Sequence, residues 1–291
     1  MRYSTLIRRI LPPTLFMKLK QLQNRKCLKY LKSNVQFKNT FCGKRCFILG
    51  NGPSLKLLDF EKLKDEITFT VNQLPRDVNF PKLNTNFHMW ADAQFFNLDR
   101  SRPEDMELLE VMRKVNTDGN KPTVFYKYSA KQMIEEFKLN ELLDIHYFQT
   151  ADAYRLDRIL KKTKLDFTKV IPDFPSVVLQ AICLAVYMGF KEIYILGCDC
   201  TGFISTAQNK MKQAESAAYN YNISENEKKR LERVANERSI ADELRGFAEL
   251  FYDYEFLGDY CNNNEVHIYN ATEGGLLDSY PRVKLDDVLK I

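Results

Sequence analysis

At 291 residues the chain can bury a large core, either as one big domain or as two small ones. Hydrophobic residues make up 45% and charged residues 28%, a globular mix that excludes wholesale disorder. Thirteen of the 43 basic residues fall within residues 1–58 and no acidic residue precedes Asp59; the remaining 30 face 38 acidic ones, so the net +5 belongs to the N-terminal arm and the body carries −8.

In chain order, the first element is a basic amphipathic arm over residues 1–43. It interleaves Arg8, Arg9, Lys18, Lys20, Arg25, Lys26, Lys29 and Lys32 with Leu, Ile, Phe and Met. Its apolar runs are too short to span a bilayer. It also lacks the clean apolar stretch and small-residue cleavage site of an export signal. Such a segment can lie on anionic lipid, each basic residue contributing about 1 kcal/mol. The alternative is a solvated helix packed on its own domain or on a partner subunit, which leaves room for a homo-oligomer. No nucleic-acid module accompanies the charge, so nucleic acid is not an expected partner. The expected location is cytoplasmic, with peripheral contact at the inner face of the membrane.

Residues 44–291 read as one α/β domain. Arg45–Leu49 is a short apolar strand closed by Gly50-Asn51-Gly52-Pro53, a turn signal. Ser54 is expected to cap a helix running to Leu63. Ile67–Val71 reads as a second strand ending at Asn72, and Phe87–Ala91 as a third followed by Asp92. Pro103 suits the first turn of a helix carrying Met106, Leu109 and Val111 on one side. Thr123–Tyr126 and Ile145–Phe148 are further strands, separated by a helical segment over Ala130–Leu139. Ser176–Met188 has the spacing of a buried helix that Gly189 ends, and Glu192–Leu196 is a strand running into Gly197-Cys198-Asp199. A polar stretch follows, and residues 201–224 are expected to act as a lid. A single long helix is expected from about Glu225 to Tyr260, with Leu231, Val234, Ile240, Leu244, Phe247 and Leu250 at near-helical spacing. Val266–Tyr269 supplies a last strand and Leu285–Leu289 a terminal helix. Strands alternating with helices predict a Rossmann-like, doubly wound, mostly parallel sheet.

In such a sheet ligands bind beyond the carboxyl ends of the strands, near the topological switch point. That rule selects Gly50–Ser54, Asn72, Asp92 and Gly197–Thr201, with Ser176 at the start of the buried helix. The two glycines of the first turn are expected to permit positive φ and close approach of a ligand. Pro53 would fix the turn, and the following helix N-terminus would offer amides to a phosphate. The turn lacks both the Gly-Lys-Ser/Thr of a Walker loop and the three spaced glycines of a dinucleotide site. A plain βα turn is the bland alternative, and Asn72 and Asp92 each have a helix-cap reading. The seven cysteines form an odd set without zinc-finger spacing, so reduced thiols are expected. Cys198-Asp199-Cys200 offers too few ligands for a metal site.

Cys46-Phe-Ile-Leu-Gly-Asn-Gly-Pro-Ser-Leu55, followed by a strand and Asn72-Gln73, resembles the start of bacterial sialyltransferases of glycosyltransferase family 42. Pro175-Ser176, the apolar helix and Gly189–Asp199 resemble that family's second block. Tyr269-Asn-Ala-Thr-Glu-Gly-Gly-Leu-Leu-Asp278 with Pro281-Arg-Val-Lys-Leu285 is similar to the wider domain of unknown function 115, which includes flagellin glycosyltransferase-like proteins and a pterin pyrophosphokinase. Together the blocks cover most of residues 44–200 and 266–288.

The resemblance implies a metal-independent enzyme using a CMP-activated acidic sugar, with no cofactor beyond the nucleotide-sugar donor and with a glycan or lipid-linked acceptor. It implies that Asn51 and Asn72, in the turns that also carry Gly52, Pro53 and Ser54, contact the cytidine phosphate or ribose. Ser176 would hold the donor's cytosine or sugar side, and the segment after Asp199 would close on the donor. The chain departs from the family at Ala91-Asp92, where the relatives carry an Asn, and at Thr201, where they carry the first Tyr of a phosphate-binding pair. Tyr219 and Tyr221, with Lys210 and Lys212, are the candidates to take over that task; a solvated loop face is the alternative. The family's lid His is absent, because His88, His146 and His267 all fall in strands. Asp92 is the expected general base and Asp199 the second candidate, with a turn-organising role as its alternative. A nucleotide-dependent pyrophosphokinase and a non-catalytic binding protein are the competing functions.

Overall fold

The computed structural model describes residues 12–117, 119–151, 164–211, 219–234 and 239–290. Arg8 and Arg9 of the arm and Lys212 of the expected lid lie outside these residues. The centre is a seven-stranded sheet in the order β5-β4-β3-β2-β1-β8-β9. Its members are β1 (Arg45–Leu49), β2 (Thr68–Val71), β3 (Phe87–Trp90), β4 (Thr123–Lys127), β5 (Asp144–Phe148), β8 (Glu192–Leu196) and β9 (His267–Asn270). Every pairing in it is parallel. A separate two-stranded ladder, β6 (Thr150–Ala151) with β7 (Ile171–Pro172), has no counterpart in the sequence pattern because two-residue strands carry no periodicity.

The strands are apolar throughout because both faces are covered, as parallel sheets require. Cys46, Ile48, Phe69, Val71 and Met89 face the buried helix α5 (Val177–Met188). Phe47, Leu49 and Leu196 point the other way, onto Leu55, Phe60 and Leu74. Further along that second face, Trp90, Val124 and Tyr126 pack on α3 (Pro103–Arg113) and α4 (Lys131–Glu136). The chain winds outward from β1 to β5, returns, and then continues through β8 to β9 on the other side. The switch point therefore lies between β1 and β8.

Three expectations change. Ser54 does not start an α-helix: Pro53–Leu57 and Phe60–Leu63 are two short 3-10 turns, because the Ser54 side chain is engaged across the cleft. The long helix over 225–260 is two described helices, α7 (Glu225–Val234) and α8 (Ile240–Asn262), the second opened by Ser239, whose Oγ accepts from the Asp242 amide at 3.2 Å. Ser239-x-x-Asp242 is a capping signal that breaks the apparent single period. Gly202–Lys210 of the lid stretch forms helix α6, anchored by the edge-on contact of Phe203 with Phe247 of α8.

The basic arm is helical as well, in α1 (Pro13–Gln23) and α2 (Arg25–Leu31). Its second half is built into the body. Cys27, Leu31 and Asn34 are buried, and the Asn34 side-chain amide donates to the carbonyls of Tyr147 (2.8 Å) and Phe167 (2.9 Å). Among the described residues no helix is long and apolar enough to cross a membrane, and all seven cysteines are free thiols.

Candidate functional site

The turns after β1 and β8 close on each other over the switch point. Gly50 N–H donates to the Leu196 carbonyl at 2.8 Å and Gly52 N–H to the Gly197 carbonyl at 2.9 Å. Neither Gly50 nor Gly52 has positive φ; Gly52 is extended at φ −68°. They are glycines for lack of room. A Cβ on Gly52 would sit 1.8 Å from Asp199 Oδ2, and one on Gly50 would sit 2.4 Å from the Gly197 oxygen. The positive φ belongs to Gly197 at +63°.

Asp199 explains the turn. It is 7% exposed, and its carboxylate accepts from the Ser54 amide (3.2 Å) and the Ser54 hydroxyl (2.8 Å). The amide expected to greet a phosphate is thus already occupied by the protein's own carboxylate. Asp199 is an organiser here, the second of its two sequence readings. The C-terminal block supports it from behind. Leu276 N–H donates to the Asp199 carbonyl at 2.8 Å, and Arg282 holds the same loop through the carbonyls of Thr272, Gly275 and Leu277.

A cavity of about 240 Å³ opens above this junction, lined among others by Asn51, Gly52, Ser176, Thr201, Tyr219 and Tyr254. Asn51 Nδ2 donates to the Val71 carbonyl at 3.2 Å, which fixes the amide's orientation. Its Oδ1 is left buried with no protein partner, as is Oδ1 of Asn72. Asn72, at the end of β2, adopts left-handed backbone at φ +45°, and Cys200, which lines the cavity, does the same at +54°. Strained non-glycine backbone of this kind concentrates at ligand sites. Ser176 Oγ caps α5 by accepting from the Val178 amide at 3.2 Å, and it shares a hydrogen bond with the buried Tyr254 phenol. Pro53 opens the 3-10 turn, as its fixed φ suits.

The remaining candidates divide. Tyr219 lines the cavity, and burial raises its phenol above the ordinary value, with Glu227 adding to the effect. Tyr221 stacks on it at 5.3 Å but turns into the body, 8% exposed. Asp92 is exposed at the end of β3. Its carboxylate accepts from the Gln94 amide (3.3 Å) and from Gln94 Nε2 (2.5 Å), so it is the cap of a 3-10 turn at Ala93–Phe95. His88 is buried on β3, its Nδ1 paired with Thr70 Oγ1 at 2.7 Å, and burial drops its pKa to about 3. His146 is a strand residue beside Asp144 and His267 is exposed on β9.

The structure also brings in two charged residues at the start of the expected long helix, which sequence reasoning did not single out. Arg230 and Glu227 of α7 are 1% and 2% exposed and form a two-bond pair through the Nε/Nη2 edge of the guanidinium, at 2.9 and 2.8 Å. Glu227 also accepts from Gln73 (2.8 Å) and Arg76 (3.1 Å), residues that directly follow Asn72. Burial alone would lift Glu227, but the hydrogen bonds from Arg230 and Gln73 overcome it and hold the carboxyl below its usual range. Arg230 lies over the Phe95 ring at 5.1 Å, with Asp92 and Tyr219 in its electrostatic neighbourhood, and its Nη1 is buried without a partner. This network ties the segment after the lid to the end of β2. Asn220 completes the tie, its N–H donating to the Asn51 carbonyl at 3.2 Å and its Nδ2 to Asp77 at 2.8 Å.

On α8, beside Tyr254, burial and the neighbouring Glu249 lift Asp253 to about 6. A carboxyl with a raised folded pKa stabilises the fold fully below its ordinary value near 4, and that contribution is lost as pH rises through 6. Asp253→Asn is therefore expected to raise stability near pH 7.5 by about 1 kcal/mol, discounted for its partial exposure, and to change little near pH 4. Thermal unfolding of both proteins at the two pH values checks the sign.

Among the described residues no group of three His, Cys, Asp or Glu side chains could hold a metal ion. No family profile matches the chain, and no curated protein matches it. Among solved structures it is similar to the sialyltransferase CstII from Campylobacter jejuni in complex with a substrate analogue, cytidine-5'-monophosphate. The TM-score is 0.46 and the identity 17%, over 83% of this chain and 85% of that one.

Proposed function

We propose that the chain is a glycosyltransferase that takes an acidic sugar, a sialic or other nonulosonic acid, from a CMP-linked donor without a divalent ion and passes it to a glycan acceptor. The observation that carries this reading is the buried, unpartnered Asn51 Oδ1 in the cavity at the switch point, with a second such oxygen, Asn72 Oδ1, at the end of the neighbouring strand β2. Orphaned acceptors in a cleft call for a ligand rich in O–H and N–H donors, such as the ribose and base of a nucleoside. A Walker-type phosphate grip is disfavoured, because Ser54 N–H is held by Asp199.

On this reading the nucleoside lies across Asn51 and Asn72, with Ser176 and Thr201 on the sugar side of the cavity. Tyr219 keeps its proton because burial raises its pKa, and a protonated phenol can donate to the departing cytidine phosphate. Asp92 is exposed, so an acceptor hydroxyl can reach it, and it remains the proposed base; Asp199 holds the turn.

The test is binding of CMP, UDP, GDP and ATP by calorimetry, each with and without Mg²⁺. CMP is expected to bind without metal. Asn51→Ala and Asn72→Ala should each weaken it by about 0.5–1.5 kcal/mol, or roughly two- to tenfold. With a CMP-activated donor, Asp92→Asn should cut turnover about a hundredfold at nearly unchanged nucleotide affinity. Binding of ATP alone, and only with Mg²⁺, would replace this reading with phosphotransfer.

A further inference from the structure

A second cavity, of about 750 Å³, lies at the opposite end of the sheet from the cleft. Its lining takes in Asn39 and Cys42 ahead of β1, Phe190 and Lys191 ahead of β8, and Val266 ahead of β9, all at the amino ends of strands. Its walls are largely apolar, as in small-molecule sites of this size. Four lysines, Lys38, Lys164, Lys169 and Lys191, stand around it against one lining acid, Asp166, which Lys169 already pairs at 2.7 Å. Lys191 pairs with Glu265 at 3.6 Å. No ion pair engages Lys38 or Lys164 among the described residues.

Helix α1 closes this cavity with one face. Met17 and Gln21 line it, and Gln21 is clamped to the Val170 backbone by a reciprocal pair: Nε2 donates to the carbonyl at 2.7 Å, and the amide donates to Oε1 at 2.9 Å. The opposite face of the helix is also apolar. Leu15, Leu19 and Leu22 recur at i, i+4 and i+7, and they are 44%, 39% and 67% exposed. A short helix that is apolar outward, fixed inward by specific hydrogen bonds and set in an arm without acidic residues has the chemistry of an interfacial anchor for anionic lipid.

We propose that α1 docks the protein on an anionic phospholipid surface. Leu15, Leu19 and Leu22 enter the acyl boundary, and the arm's exposed basic residues meet lipid phosphates. This anchor sits apart from the switch-point cleft and is independent of the donor reading, so either can fail alone.

The experiment is co-sedimentation of the full chain with vesicles of phosphatidylcholine, with and without one-third phosphatidylglycerol, at low and high salt. Wild type is expected to bind the anionic vesicles and to release as salt screens the charges. Leu15→Ser/Leu19→Ser/Leu22→Ser should lose at least about tenfold in binding, and Lys18→Glu/Lys26→Glu a few-fold. Both variants change outward side chains, so their melting temperatures should match wild type. Undiminished binding by the leucine variant overturns the proposal, as does equal binding to both vesicle types. A wild-type dimer that the leucine variant converts to monomer, with no vesicle binding by either, would assign the stripe to a second copy instead and also overturn it.

Discussion

Gly52→Ala is expected to destabilise the chain by about 2–4 kcal/mol and to abolish measurable nucleotide binding. The added methyl would meet Asp199 Oδ2 at 1.8 Å and the Gly197 carbonyl oxygen at 2.6 Å. The first contact cannot swing away cheaply, because the Asp199 carboxylate is 7% exposed and tied to Ser54 by two hydrogen bonds. The second is backbone of a left-handed glycine and has still less freedom. Relief must come from the turn itself, which moves Asn51 and breaks the Gly52–Gly197 hydrogen bond. Asp199→Ala separates the two contacts. In that background Gly52→Ala should cost less, since one of its two obstacles is gone, but not nothing. Urea unfolding and CMP calorimetry on the four proteins of this cycle measure the coupling. Gly52→Ala with wild-type stability would remove the steric reading, and wild-type CMP affinity would take the turn out of the site.

Arg230→Met should cost about 3–5 kcal/mol, the usual penalty for removing one partner of a buried ion pair. The guanidinium supplies two hydrogen bonds, from Nε and Nη2, to Glu227, which is itself 2% exposed and would keep only Arg76 and Gln73. Arg230→Lys should recover little, because an ammonium cannot reproduce the two-bond fork or the stacking on Phe95. The double variant Arg230→Met/Glu227→Gln should be more stable than Arg230→Met alone, since it no longer buries a poorly compensated charge. A pH dependence follows from the same network. Glu227, held below its ordinary pKa, contributes stability above that ordinary value and loses it as pH falls through its folded value. Acid unfolding should therefore shift to higher pH in Arg230→Met. The functional consequence runs through Asn220 and Tyr219, which the anchored α7 follows directly in sequence. If Arg230→Met retains wild-type stability, the network is ornamental and the segment after the lid is held elsewhere.

Much of this architecture was legible in the residues. The apolar strands before Gly50, Asn72 and Gly197, the helix from Ser176 to the left-handed Gly189, and the alternation that makes a parallel sheet all come from local signals: burial on both faces, helical spacing and a cap. The place of the cleft followed as well, since carboxyl ends of strands near a switch point are a topological consequence of that order. Gly50–Pro53, Ser176, Thr201 and Tyr219 line one cavity there.

What tertiary structure alone decided is the task of each residue at that place. The glycines of the first turn looked like positive-φ positions, yet Gly50 makes room for the Gly197 carbonyl and Gly52 for Asp199, 147 residues away, which Ser54 holds by two hydrogen bonds. Asp92 stood beside the cleft in the sequence, but it faces solvent and caps its own turn. Nothing in the sequence reading singled out Glu227 or Arg230 in the segment Glu225–Val234, and only docking against Gln73 and Arg76 made them two of the most buried ions among the described residues. Periodicity reports which face of an element is covered, because that is repeated every two or 3.6 residues. A hydrogen bond or ion pair across more than a hundred residues leaves no such repeat, so the chain's own pattern sets the scaffold and its folded contacts set the chemistry.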